Sequence, residues 1–134
     1  MTIALSIRQP WASLIIVAGK NIENRNWGTN YSGPLLIHAA KIMTKRDYTE
    51  AMDFACSINH ARMMSLMFDS GVLAFDNLPR GGIIGSANLV GCVRRSRSPW
   101  FVGPNGFVLR DQKPLPFIPL KGQLGFFEVA GVQP

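Results

Sequence analysis

Acidic residues are scarce in this sequence. Eight aspartates and glutamates face fourteen lysines and arginines in 134 residues, for a formal net charge of +6. The scarcity is local. Residues 44–77 hold Lys45, Arg46 and Arg62 against Asp47, Glu50, Asp53, Asp69 and Asp76, a net of −2. The rest of the chain holds eleven basic residues against Glu23, Asp111 and Glu128, a net of +8. A surface with that excess attracts polyanions, nucleic acid first among them. Cysteine is also rare. Cys56 and Cys92 lack metal-ligand spacing and make no disulfide framework, so reduced, buried thiols and a cytoplasmic setting are expected. The longest near-continuous apolar run, "LIIVAG", has six residues, against the ~18 of a membrane span. The opening "MTIALSIRQPW" lacks a basic n-region, a long apolar stretch and a small-residue cleavage site, so no secretory signal is expected. No His/Cys/Asp/Glu cluster has ligand spacing, so neither metal nor cofactor is implied. "GGIIG" lacks the lysine–serine/threonine ending and the strand–loop–helix setting of a phosphate loop. There is no internal repeat and no low-complexity segment.

What is present is a core. Hydrophobic residues make up 47%, which excludes disorder, and the length suits one domain over 1–134. "IALSI" (3–7) reads as a strand. Pro10 suits a first helical turn, and Trp11, Leu14, Ile15 and Ala18 then recur at helical spacing until Gly19. A strand over 20–27 and an apolar strand over 34–40 follow. Thr44 and Asp47 form a near capping box before a helix carrying Tyr48, Ala51, Met52, Ala55 and Cys56. A second helix over about 60–70 is expected to turn Met63, Met64, Met67 and Phe68 inward, a methionine stripe that reads as adaptable core, with Gly71 closing it. In the long strand over 81–93, Ile83, Gly85, Ala87, Leu89, Gly91 and Val93 are expected to share one face, the small residues marking close backbone approach. "FVLRD" and "LGFFEVAG" are two further strands, separated by a proline-rich extended connection. The pattern is α+β: five or six strands in a small mixed barrel, one early helix, and a helical pair inserted at 44–77.

"GKNIENRNW" (19–27) is the stretch least explicable as packing. Alternation puts Asn21, Glu23, Arg25 and Trp27 on one face and Lys20, Ile22, Asn24 and Asn26 on the other, although Lys20 sits at the turn. An exposed Glu23–Arg25 pair would contribute only ~0–1 kcal/mol, and a half-buried one is a poor route to stability. Two readings stand: the floor of a binding site, or a solvated edge strand with an ordinary ion pair. Trp11 lies on the helical apolar stripe and reads as core. Trp27 and Trp100 border turns and are the better candidates for stacking an unpaired base. "RRSR", with Arg94, Arg95 and Arg97, is the densest positive run. With Arg8, Lys41, Arg80, Arg110 and Lys121 it could follow a phosphate backbone. His38, in an apolar strand, reads as a hydrogen-bonded core histidine.

"LSIRQPWASLI", "GKNIENRNW", "GPLLIHAAK", "GGIIGSANLVGCV", "PWFVGPNGFVLRD" and "PLKGQLGFFEV" resemble, in order, the ASCH domain family of the PUA-like superfold. The resemblance covers nearly the whole chain, and its most specific part is the QPW element followed by lysine–x–x–glutamate–x–arginine. It implies a compact PUA-like β-barrel with a cleft beside the first helix that binds RNA or a modified nucleoside, with single-stranded DNA a further candidate. The family's cleft lysine falls on Lys20, its acidic and arginine positions on Glu23 and Arg25, and its QPW residues on Gln9, Pro10 and Trp11. Family members include a ribonuclease and an amidohydrolase acting on N-acetylated cytidine, so an enzyme using Lys20 and Glu23 is the alternative. In the amidohydrolase branch a threonine is expected where Glu23 stands, and that branch's other catalytic acid has no counterpart here. An acid often stands where this chain has Gly91.

Overall fold

The structure is a computed structural model that describes residues 1–134. Strand β1 (Thr2–Ile7) leads into helix α1 (Trp11–Val17), and strands β2 (Ile22–Arg25) and β3 (Gly33–Ala39) follow. Helices α2 (Lys45–Ile58) and α3 (His60–Met64) come next, then β4 (Gly82–Val93), β5 (Asn105–Pro119) and β6 (Phe126–Val129). The six strands form one mixed sheet in the order β2-β5-β4-β3-β1-β6, in which β1 and β3 are parallel and the other pairs antiparallel.

The sheet is barrel-like but open, because its edge strands β2 and β6 share no ladder. Side chains bring the edges together instead. Arg25 of β2 donates from Nη2 to the Ser6 carbonyl of β1 at 2.9 Å. Trp27, just past β2, meets Phe126 of β6 edge-on with centroids 5.3 Å apart. The inside is filled by Leu5, Ile7, Ile15, Leu35, Ile37, Leu89 and Phe107. A second core lies under the helices, where Leu14 and Ile22 pack with Met52, Ala55, Met63 and Trp100. The helical pair is therefore a lid on the sheet, held by its methionines.

Several local forms follow from single residues. Gly19 takes φ +74° just after α1, the left-handed conformation that ends a helix at low cost. The Thr44–Asp47 box is complete, each side chain accepting from the other's backbone N–H. Gly85 lets α1 lie close to the sheet, since a Cβ there would fall 2.5 Å from both Ile16 Cδ1 and the Lys113 carbonyl. At Gly91 a Cβ would meet nothing within 4 Å, so that glycine marks no close approach.

Four expectations fail. Phe68 is 72% exposed rather than inward-facing, because residues Ser65–Asp69 wind as a π-helix and the wider turn carries it off the α-helical stripe. The strict alternation along β4 is broken by register shifts at three places, so Ile84, Ala87 and Leu89 share one core while Ile83 joins another. The proline-rich segment is not a connection but the second half of the fifteen-residue strand β5. Past Val108 that half pairs only with β4, so prolines on its free side forfeit no ladder bond. Cys56 and Cys92 are free and half-buried rather than fully buried. Burial, with Asp53 nearby, pushes the Cys56 thiol up from its ordinary value. No helix is long and apolar enough to cross a membrane.

Candidate nucleic-acid interface

The charged strand after α1 is the floor of a cavity. Lys20 is 2% exposed and Glu23 7%. Lys20 precedes β2, so the turn rather than strand alternation sets its direction, and its ammonium reaches the face it would otherwise oppose. It donates to Glu23 Oε1 at 3.1 Å and to the Ile22 carbonyl, and it lies 5.6 Å from the centre of the Trp11 ring. Glu23 Oε2 accepts from Arg25 at 3.1 Å. The three charges thus form one chain, buried at Lys20 and Glu23 and half-buried at Arg25, which anchors it to the β1 backbone. Such a network is costly to desolvate and tolerable only when every member is bonded. No buried side-chain nitrogen or oxygen in the protein lacks a partner.

Above this floor is a hollow of about 450 Å³ whose walls include Arg8, Trp11, Asp47, Glu50 and Phe54. A second hollow of about 480 Å³ shares Arg8, Trp11, Glu23 and Asn24 with it and extends past Arg25 to Leu124. Trp11 is half-buried. Phe54 abuts its edge with centroids 5.9 Å apart, and the indole borders both hollows.

The three tryptophans differ in exposure: Trp11 and Trp27 are half-buried and pack against the core, and Trp100 is buried. Trp11 starts α1 at the cleft wall and presents an aromatic surface there. Trp100 is 5% exposed and sealed into the helical core against Phe54. Trp27 is committed to edge-on contacts with Phe107 and Phe126 on the inner side of the rolled sheet. Bordering a turn was a poor guide, because Asn24 pins the 100–103 loop over Trp100. Its side chain donates to the Trp100 carbonyl at 2.9 Å and accepts from the amides of Val102 and Gly103. Gln9 also serves the fold. Its amide donates to Ser13 Oγ and the Pro79 carbonyl and accepts from the Ser13 N–H, which caps α1 and ties it to the approach to β4.

The basic residues divide into groups. Arg8, Lys41, Arg80 and Lys121 line a third hollow of about 920 Å³, which shares Arg8 and Leu124 with the second. Arg94, Arg95 and Arg97 follow the far end of β4, a twelve-residue strand of roughly 40 Å if straight. Arg94 borders a separate small hollow with Thr29 and Asn105. Arg110 is exposed in mid-β5, across from Asn88. His38 is buried and bonded on both ring nitrogens, to Ser6 Oγ at 2.9 Å and to the Leu120 carbonyl at 2.6 Å. Both partners lie far off in the chain, so the residues around His38 do not reveal them.

Comparison with known proteins agrees with this architecture. The human protein Activating signal cointegrator 1 is 28% identical over 93 residues, 69% of this chain. The match spans only 15% of that protein's length. A match to the ASCH domain itself covers residues 5–101, from β1 through α1, the charged β2 strand, the helical pair and β4 to the pinned 100–103 loop. This chain belongs to the ASCH domain family.

Proposed function

We propose that the chain is a nucleic-acid-binding module whose cleft accepts an unpaired RNA base or a modified nucleoside against Trp11, above the Lys20–Glu23–Arg25 floor. The observation that carries this reading is the placement of a buried, fully bonded charge network in the wall of a cavity beside a half-open indole. Stability alone does not call for such a network. A planar base suits it. Glu23 accepts one hydrogen bond on each oxygen, of the about four its carboxylate can take, and so can receive an exocyclic amine. Arg25 retains a guanidinium edge for a ring carbonyl. The indole supplies a stacking surface. The resemblance to RNA-binding PUA-like modules points the same way.

A hydrolytic reading has less support. A lysine acts as base or nucleophile through a free lone pair, and Lys20 is instead a donor to a carboxylate and a carbonyl beside an aromatic ring. The test is a titration followed by tryptophan fluorescence, using single-stranded RNA, single-stranded DNA and a panel of nucleosides including N-acetylated cytidine. Trp11→Leu, with folding verified by circular dichroism, is expected to lose ~1–3 kcal/mol of affinity. Unchanged affinity in that variant, or no binding by any member of the panel, refutes the reading.

A further inference from the structure

The third hollow has a chemistry of its own, and strand topology creates it. Arg8 follows the end of β1, Lys41 follows the end of β3, Arg80 precedes the start of β4, and Lys121 follows the end of β5. β1 and β3 run parallel, and β4 and β5 each reverse direction, so all four positions fall at the same end of four neighbouring strands. Backbone bonds continue past the strand ends and hold them in a row: Ala40 N to Ile7 O, Gly81 N to Ala39 O, and Leu120 N to Gly81 O. At ~4.8 Å per strand the row is about 14 Å wide. No carboxylate lines this hollow. Lys41, Arg80 and Lys121 make no ion pair, and Arg8 makes only a long one, 3.9 Å from Asp47. All four side chains are exposed. Below them, His38 donates from Nε2 to the Leu120 carbonyl and so fixes the approach to Lys121.

The opposite end of the cleft differs. Its walls carry Glu23, Asp47 and Glu50, and its cations are already engaged, Lys20 by Glu23 and Arg8 by Asp47. A phosphate on that side would meet carboxylates and no free cation. Arg8 lines the cleft, the groove and the hollow between them. Leu124, 99% exposed, stands over the middle hollow and the groove, where a sugar would lie.

Resting on the base-binding reading above, we infer that the ligand is a terminal, phosphate-bearing nucleotide, either a strand end or a free nucleotide, with its phosphates in the Arg8–Lys41–Arg80–Lys121 groove and its base at the acidic end of the cleft. A strand threading through would place its next phosphate against Asp47 and Glu50. Four cations in a row, three without an ion pair and Arg8 with only a long one, suit more than one phosphate.

The probes are a nucleoside, its 5′-mono- and 5′-triphosphate, inorganic tripolyphosphate, and a short RNA in four forms: 5′-phosphorylated, 3′-phosphorylated, unphosphorylated and circular. Binding is measured by calorimetry at several salt concentrations, on the wild type and on Lys41→Glu/Lys121→Glu, whose exposed positions leave the melting curve unchanged. The triphosphate and one of the end-phosphorylated RNAs should bind at least about tenfold more tightly than their unphosphorylated counterparts, with a salt slope near −0.7 per phosphate engaged on the strand. The double variant should lose that increment and keep nucleoside binding. Preference for the terminal-phosphate strand would distinguish a strand end from a free nucleotide as the source. Circular RNA binding as well as the end-phosphorylated form overturns terminal recognition. Nucleoside binding that gains nothing from phosphate overturns the groove and leaves the base reading standing. Tripolyphosphate binding that the double variant abolishes, without any nucleoside binding, sustains the groove and refutes the base reading.

Discussion

Two charged regions meet at the cleft, and they are built on opposite principles. In the floor, Lys20 and Glu23 are buried, Arg25 is half-buried, and each charge is bonded to the next. In the groove, Arg8, Lys41, Arg80 and Lys121 are exposed and nearly unpaired, held side by side only because four strands end there. The difference separates structural charge from charge left available. Floor charges satisfy one another, so removing one strands the others. Groove charges face solvent and one another, so removing one leaves the fold intact and weakens only what binds there.

The largest effect should come from the floor. Glu23→Ala leaves the buried Lys20 and the half-buried Arg25 without their shared carboxylate and is expected to destabilise the protein by about 3–5 kcal/mol, measured by urea unfolding. A loss under about 1 kcal/mol would show that Lys20 and Arg25 find water on their own, and the contrast with the groove would disappear. Next is the residue that joins the regions. His38→Ala leaves Ser6 Oγ and the Leu120 carbonyl without their buried partner and should cost about 1–3 kcal/mol. It should also weaken tripolyphosphate binding, since it releases the segment leading to Lys121. Lost stability with phosphate binding intact would make His38 a core residue only.

How far the sequence announced these regions depends on the range of the interactions. The floor was partly legible, because Lys20, Glu23 and Arg25 lie within six positions and strand alternation pairs the last two. The capping box, the helix stop at Gly19 and the inserted helical pair were legible for the same reason. The groove's four cations read from the sequence as part of a phosphate path, but that path also takes in Arg94–Arg97 and Arg110. Their separate row was not legible, since the four are spread over more than a hundred residues and only strand direction and order bring them together. The dense Arg94–Arg97 run drew attention by proximity in sequence and lies beyond the other end of β4. The tryptophans show the limit of local reasoning. Trp100 borders a turn as an exposed ring would, yet Asn24, seventy-six positions away, ties the loop that closes over it. Phe68 shows another limit, because a π-helical turn changes the period on which the inward stripe was counted.

Reversing Arg94, Arg95 and Arg97 to glutamate tests the groove against bulk charge. The run carries three cations to the groove's four but lies on a loop beyond the opposite sheet end. The triple variant should therefore reduce RNA affinity through long-range attraction alone, by less than the groove double variant does, and the deficit should vanish as salt shortens the screening length toward ~3 Å. An equal or larger loss that persists in high salt would move the phosphate path to that end.

The smallest effect concerns Asp47, where the two halves of the cleft touch. The Thr44 backbone N–H, then the Thr44 hydroxyl, with Arg8 and Arg46 adding attraction, hold the Asp47 carboxyl below its ordinary value. A carboxylate so shifted contributes stability above its unfolded value, near ~3.9, and loses that contribution as pH falls through the lower folded value. The melting temperatures of wild type and Asp47→Asn should thus differ slightly above pH ~4 and converge below it. The same substitution removes the carboxylate nearest Arg8, so at neutral pH tripolyphosphate should bind the variant slightly more tightly than the wild type. Weaker binding would mean that Asp47 positions Arg8 for its ligand rather than competing for it, and the acidic end would then belong to the phosphate site instead of bounding it.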